Sequence, residues 1–167
     1  MDLYDGQVAT SPEEAGKIMQ SVQEDRANAI INGAVDKAKS DVGNGEPKIA
    51  TIGWCFGRGW SLKSSILAGS AGAGCVMYYG MPVQTAKELA PLEADIICIH
   101  PKQDKWITEE VINKFETLTK ATGKNFTVHQ FDADHAFANP SSPRYNEAAA
   151  QEANKLTLQF LKEKLEI

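Results

Sequence analysis

The sequence predicts an α/β protein: a mainly parallel sheet of about four strands with helices on both faces. Three observations carry that expectation. Short apolar or β-branched runs recur along the chain, helical patterns separate them, and a length of 167 residues suits one domain over 1-167.

Ser11-Pro12-Glu13-Glu14 opens the first helix, with serine as cap, proline at the first helical position and Glu14 closing a capping box. A second box, Ser21 to Glu24, precedes a longer helix with Ala27, Ile30, Ile31, Ala34 and Ala38 at helical spacing, ending in the Gly43-Asn44-Gly45 turn. After Pro47, Lys48 to Gly53 reads as a buried strand and Gly57 to Ala68 as a helix. Gly74 to Tyr79 is the next strand, Val83 to Leu89 a helix, and Asp95 to His100 the third strand. Thr108 caps a helix that carries Val111, Phe115 and Leu118 on one face. Asn125 to Phe131 is the fourth strand, with Val128 as its core contact, and Asn146 to Lys164 a last helix burying Ala153, Leu156, Phe160 and Leu161.

Composition bounds the function. With 43% hydrophobic and 23% charged residues the chain can bury a core, which excludes disorder for most of it. A net charge of -5 argues against nucleic acid. No apolar run reaches the roughly 18 residues that span a bilayer, so no membrane partner is expected. The N-terminus lacks the basic and apolar regions of a secretory signal, and the expected compartment is cytoplasmic. Cys55, Cys75 and Cys98 are an odd number without C-x-x-C spacing, indicating neither a disulfide framework nor a zinc site. Cys75 and Cys98 lie in apolar runs and read as buried, whereas Cys55 stands between glycines.

In a parallel sheet, functional residues gather beyond the carboxyl ends of the strands. That rule selects the turn at Cys55, the loop Pro101 to Ile107 and the loop Asp132 to Pro140. Gly53-Trp54-Cys55-Phe56-Gly57 fits a G-x-nucleophile-x-G elbow, whose glycines are expected to allow close packing of strand on helix. A helix N-terminus there would favour a thiolate, and the Phe56 N–H would face a developing oxyanion. Asp104 is the candidate to orient an imidazole; its alternative role is a turn residue accepting backbone amides. His135 is the candidate base, while His100 and His129, within strands, are expected to be structural. Cys55, Asp104 and His135 occur in the order nucleophile, acid, base, the α/β-hydrolase order. Such a set needs no metal or organic cofactor: Cys55 attacks an ester carbonyl, His135 moves the proton, and water releases the acid from a thioester. Trp54, Trp106, Phe137 and Asn139 flank these positions and are the candidate substrate contacts.

The segments IGWCFGRGWSL, PKQDKWITEE and DADHAFANPSSPRY, together with the opening DLYDG, resemble the signature regions of the dienelactone hydrolase family over essentially the whole chain. The resemblance implies a small-molecule ester or lactone substrate, a triad of Cys55, Asp104 and His135, and an oxyanion-hole amide at Phe56. It also implies differences. The family's dienelactone-cleaving members carry an arginine where this chain has Asn139, and another where it has Asp5. Arg58, Arg144 or Lys105 could take the place of those arginines, though each is first expected as a solvated charge. By the same resemblance, DLYDG corresponds to the end of the family's fourth strand, so the chain should represent the C-terminal half of an α/β-hydrolase fold. The absent part supplies a second oxyanion amide and a glutamate facing the thiol, and it covers the edge of the strand before Cys55. Two other readings follow from the residues: a noncatalytic module that forms a homo-oligomer through that edge, and a thiol-redox protein, which a missing resolving cysteine disfavours.

Overall fold

The computed structural model describes every residue except Asn44, together with all side chains but that of Arg58. The Gly43-Asn44-Gly45 turn therefore lies partly outside the described residues. The chain divides into two compact units, Met1–Pro47 and Lys48–Ile167.

The first unit holds α1 (Pro12–Ser21) and α2 (Glu24–Asp41). Ser11 caps α1 as its spacing predicts, its side chain accepting the Glu14 N–H at 3.2 Å. Ser21 does not cap α2. It closes α1, donating to the Ile18 carbonyl at 2.8 Å, and the N-cap of α2 is Gln23. A serine hydroxyl in a last helical turn finds a carbonyl behind it more readily than an amide ahead. The buried stripe of α2 is Ala27, Ile31 and Val35, each four residues apart. In the opening segment, Asp2 accepts the amides of Tyr4 and Gly6, and Asp5 pairs with Arg26.

The second unit is the predicted alternation: β1 (Ile49–Trp54), α3 (Phe56–Ala68), β2 (Gly72–Tyr78), α4 (Ala86–Leu89), β3 (Asp95–Pro101), α5 (Glu109–Ala121), β4 (Phe126–Phe131) and α6 (Glu147–Leu165). The strands form one parallel sheet in the order β1-β2-β3-β4. Chain order and spatial order coincide, so the carboxyl ends of all four strands lie along one rim.

Period-two alternation splits the core into two layers. Val76, Tyr78, Ile97 and Ile99 face Ala150 and Ala153 of α6. Cys75, Met77 and Ile96 face the opposite way, toward Leu62 of α3 and Phe115 of α5. Helices thus cover both faces. Cys75 and Cys98 are fully buried, as their apolar neighbours predict.

Three helical details differ from expectation. Helix α4 is a single turn, because Thr85 rather than Val83 starts it: the threonine hydroxyl accepts the Glu88 N–H at 3.2 Å and donates to its carboxylate at 2.6 Å. On α5 the buried residues are Ile112, Phe115 and Thr119, with Val111 and Leu118 at the margin. On α6 they are Ala150, Ala153 and Thr157, while Phe160 and Leu161 pack half-buried beside them. In both, the stripe that meets the sheet is rotated from the most apolar face, since the sheet selects residues that fit closely. Among the described residues, no helix is long and apolar enough to cross a membrane.

Candidate active site

The elbow forms where the sequence places it. β1 ends at Trp54, α3 begins at Phe56, and Cys55 between them has φ 52° and ψ -121°. A side chain rarely adopts that conformation, and strain of this kind is held by surrounding contacts. The Cys55 N–H donates to the Tyr78 carbonyl at 3.1 Å, continuing the β1-β2 ladder past the last strand residue. Behind the turn, Thr51 of β1 donates to the Ser61 carbonyl at 2.9 Å and lies 2.9 Å from the Ser65 hydroxyl, tying α3 to the strand. The role expected of Gly57 is not observed: a Cβ there would meet nothing within 4 Å. Close helix-strand approach at Gly57 does not shape the turn; Cys55 itself carries the unusual backbone.

Asp104 lies in the loop after β3, and its side chain is fully buried. Its carboxylate makes the contacts of a turn residue and also meets an imidazole. Oδ1 accepts the amides of Trp106 and Ile107, each at 2.9 Å, as a turn aspartate does. Oδ2 lies 2.8 Å from His135 Nδ1. The other ring nitrogen, Nε2, is 3.3 Å from Cys55 Sγ. A continuous hydrogen-bonded chain therefore runs from sulfur through imidazole to carboxylate, across the ends of β1, β4 and β3.

Burial raises the Cys55 thiol above its ordinary pKa of 9.0, and the Asp104 charge raises it further. Both effects act against the thiolate expected from the helix N-terminus alone.

A model of the dienelactone hydrolase family matches residues 1–165. The chain belongs to the dienelactone hydrolase family. It is 29% identical to "Protein usf" of Aquifex pyrophilus over 170 residues, 98% of this chain and 73% of that protein. It is 30% identical to carboxymethylenebutenolidase 1 of Cupriavidus pinatubonensis over 115 residues, 68% of this chain, and that match spans 48% of the relative's length. Among solved structures, a dienelactone hydrolase-like promiscuous phosphotriesterase from metagenomic libraries superposes with a TM-score of 0.78 at 18% identity, covering 96% of this chain and 71% of that one.

The remaining sequence candidates of this dienelactone hydrolase family member divide by exposure. Trp106 is 58% exposed, its ring centroid 5.0 Å from that of His135. Trp54 is 44% exposed beside Cys55, packed on Tyr78 at 5.3 Å. Both present surface that a substrate can reach. Phe137 does not: it is fully buried against Tyr79 and Phe131, so its expected substrate contact is corrected to support of the histidine loop. Asn139 is exposed at the end of that loop and its carboxamide accepts the Ser141 N–H at 3.0 Å, a turn contact. Of the cations, the Arg58 side chain lies outside the described residues and Lys105 is exposed. Arg144 lies over the Trp106 ring at 5.4 Å and pairs with Asp134 at 3.5 Å. Helix α3 starts at Phe56, the residue after Cys55. His100 is buried within β3, in keeping with a structural place.

Sequence reasoning missed Tyr79. It sits just beyond β2, its ring centroid 5.1 Å from that of His135. The signal available was position: β2 is the one strand whose carboxyl end had been given no candidate.

Proposed function

We propose that this chain is a carboxylic ester hydrolase acting on a small ester or lactone, with Cys55 as nucleophile, His135 as general base and acid, and Asp104 as the group that orients the imidazole. The observation that carries the reading is the unbroken contact chain, 3.3 Å from Sγ to Nε2 and 2.8 Å from Nδ1 to Oδ2. The three residues come from loops separated by dozens of positions.

The chemistry follows from the resting protonation. Asp104 accepts the proton on Nδ1, which leaves Nε2 with its lone pair toward the thiol. As Sγ attacks the substrate carbonyl, the thiol proton passes to Nε2 and the carbonyl π electrons move onto oxygen. The Phe56 amide, at the positive end of α3, stabilises that oxyanion. Collapse of the intermediate expels the alkoxide, which takes the proton from Nε2 and leaves an acyl thioester on Cys55. Water then gives a proton to Nε2 and its oxygen to the acyl carbon. The carboxylic acid departs and the thiol is restored. Trp54 and Trp106 supply apolar walls for the acyl or alcohol portion.

A competing reading is a noncatalytic module that associates through the β1 edge. It draws on β1 being an outer strand, with Ile52 39% and Trp54 44% exposed. Hydrolysis of p-nitrophenyl esters by wild type and Cys55→Ala separates the two. The triad reading expects turnover that falls to background in Cys55→Ala, whereas equal rates overturn it; dimers by light scattering without turnover favour the edge.

A further inference from the structure

Each of the four parallel strands ends at the same rim, and three of those ends carry Cys55, Asp104 and His135. The fourth, the end of β2, carries Tyr79. Its backbone N–H donates to the Ile99 carbonyl at 3.1 Å while the preceding Tyr78 carbonyl receives the Cys55 amide. Tyr79 is thus fixed between the elbow and β3.

Consecutive strand residues point to opposite faces. Tyr78 and Tyr79 do not: they share one core cluster, their rings edge to face at 5.7 Å. The cause is φ 32° at Tyr79, a conformation that a bulky residue seldom holds. That twist brings the Tyr79 ring, 1% exposed, beneath the loop that carries the histidine. There it meets the imidazole at 5.1 Å and Phe137 at 5.7 Å. Trp106 contacts the same imidazole at 5.0 Å. Two hydrogen bonds hold the ring nitrogens, but they leave the imidazole free to swing about the line joining them. A buried aromatic ring against it limits that motion.

We propose that Tyr79 is a positioning residue for His135: its buried ring holds the imidazole so that Nε2 faces Cys55 Sγ while Nδ1 stays on Asp104. The proposal rests on the reading of Cys55 and His135 as a reacting pair.

The test is the rate at which iodoacetamide alkylates Cys55 at pH 7, followed by intact mass. Cys75 and Cys98 are fully buried, so the first addition reports Cys55. Wild type should react about tenfold or more faster than His135→Ala, because an uncoupled, buried thiol supplies little thiolate at that pH. Tyr79→Leu should fall to about the His135→Ala rate, and Tyr79→Leu added to His135→Ala should change nothing further, as expected for residues acting through one another. Tyr79→Phe keeps the ring and gives up only the hydroxyl, so it should stay within about threefold of wild type. If Tyr79→Leu reacts like wild type, or slows the reaction equally in the His135→Ala background, the positioning role is overturned while the triad stands. If Tyr79→Leu does not fold, Tyr79→Phe decides, and a rate matching His135→Ala overturns the ring's role. If His135→Ala itself reacts like wild type, the reacting pair fails and the positioning role fails with it.

Discussion

Asp104 divides its carboxylate between two tasks: Oδ2 meets His135 Nδ1 at 2.8 Å, and Oδ1 accepts two backbone amides at 2.9 Å. The backbone contacts fix which oxygen faces the imidazole. In Asp104→Asn the amide oxygen can keep the two backbone bonds, which turns the NH2 group toward Nδ1. The imidazole must then carry its proton on Nε2, where it cannot accept one from Cys55. The account predicts a fall in kcat of about 10²- to 10⁴-fold with little change in thermal stability. The same variant should also alkylate Cys55 more slowly at pH 7, because Nε2 no longer takes the thiol proton.

Alkaline stability should report the buried sulfur. The folded-state pKa of Cys55 is raised above 9.0, so the folded protein binds the proton more tightly than the unfolded chain does. Its contribution is fully present below the unfolded pKa and is lost as pH rises through the folded one. Tyr78 and Tyr79 are raised above 10.0 by burial and act in the same direction at higher pH. Melting temperatures should therefore decline from about pH 9 upward, and Cys55→Ala should flatten the first part of that decline. A decline of unchanged shape in Cys55→Ala would argue against a buried neutral thiol.

Phe137→Ala should act on the fold. The side chain is fully buried between Tyr79 and Phe131, so truncation should cost about 3–5 kcal/mol in denaturant unfolding. A raised KM with unchanged stability would return Phe137 to the substrate-contact role that its place beside His135 suggested.

Trp106→Ala should do the opposite. The indole is 58% exposed, while the backbone amide that Asp104 needs is untouched by the substitution. Loss of one aromatic contact of about 0.5–1.5 kcal/mol predicts a KM raised about three- to tenfold for aromatic esters, with kcat and melting temperature nearly unchanged.

These contrasts show what was legible in the sequence. The strands were, because GCVMYY and DIICIH are short continuous apolar runs, as strands between two helical layers require, and parallel order put Cys55, Asp104 and His135 at one rim. Loop aromatics were not. Phe137 and Trp106 lie in different loops near the histidine, yet one is buried and the other exposed, a distinction set by how each loop folds and not by residue type. Tyr79 was hidden for a related reason: its side chain reaches the site only because its φ is positive, and no local pattern announces a strained tyrosine. The misplaced cap at Ser21 shows the same limit at short range, where a hydroxyl chooses between a carbonyl behind and an amide ahead.

If Cys55 carries an acyl group during turnover, intact mass after incubation with a slowly deacylating activated ester should show one acyl addition, located on the peptide containing Cys55, absent from Cys55→Ala and strongly slowed in His135→Ala. An unmodified wild-type mass, or an adduct that persists in Cys55→Ala, would contradict it.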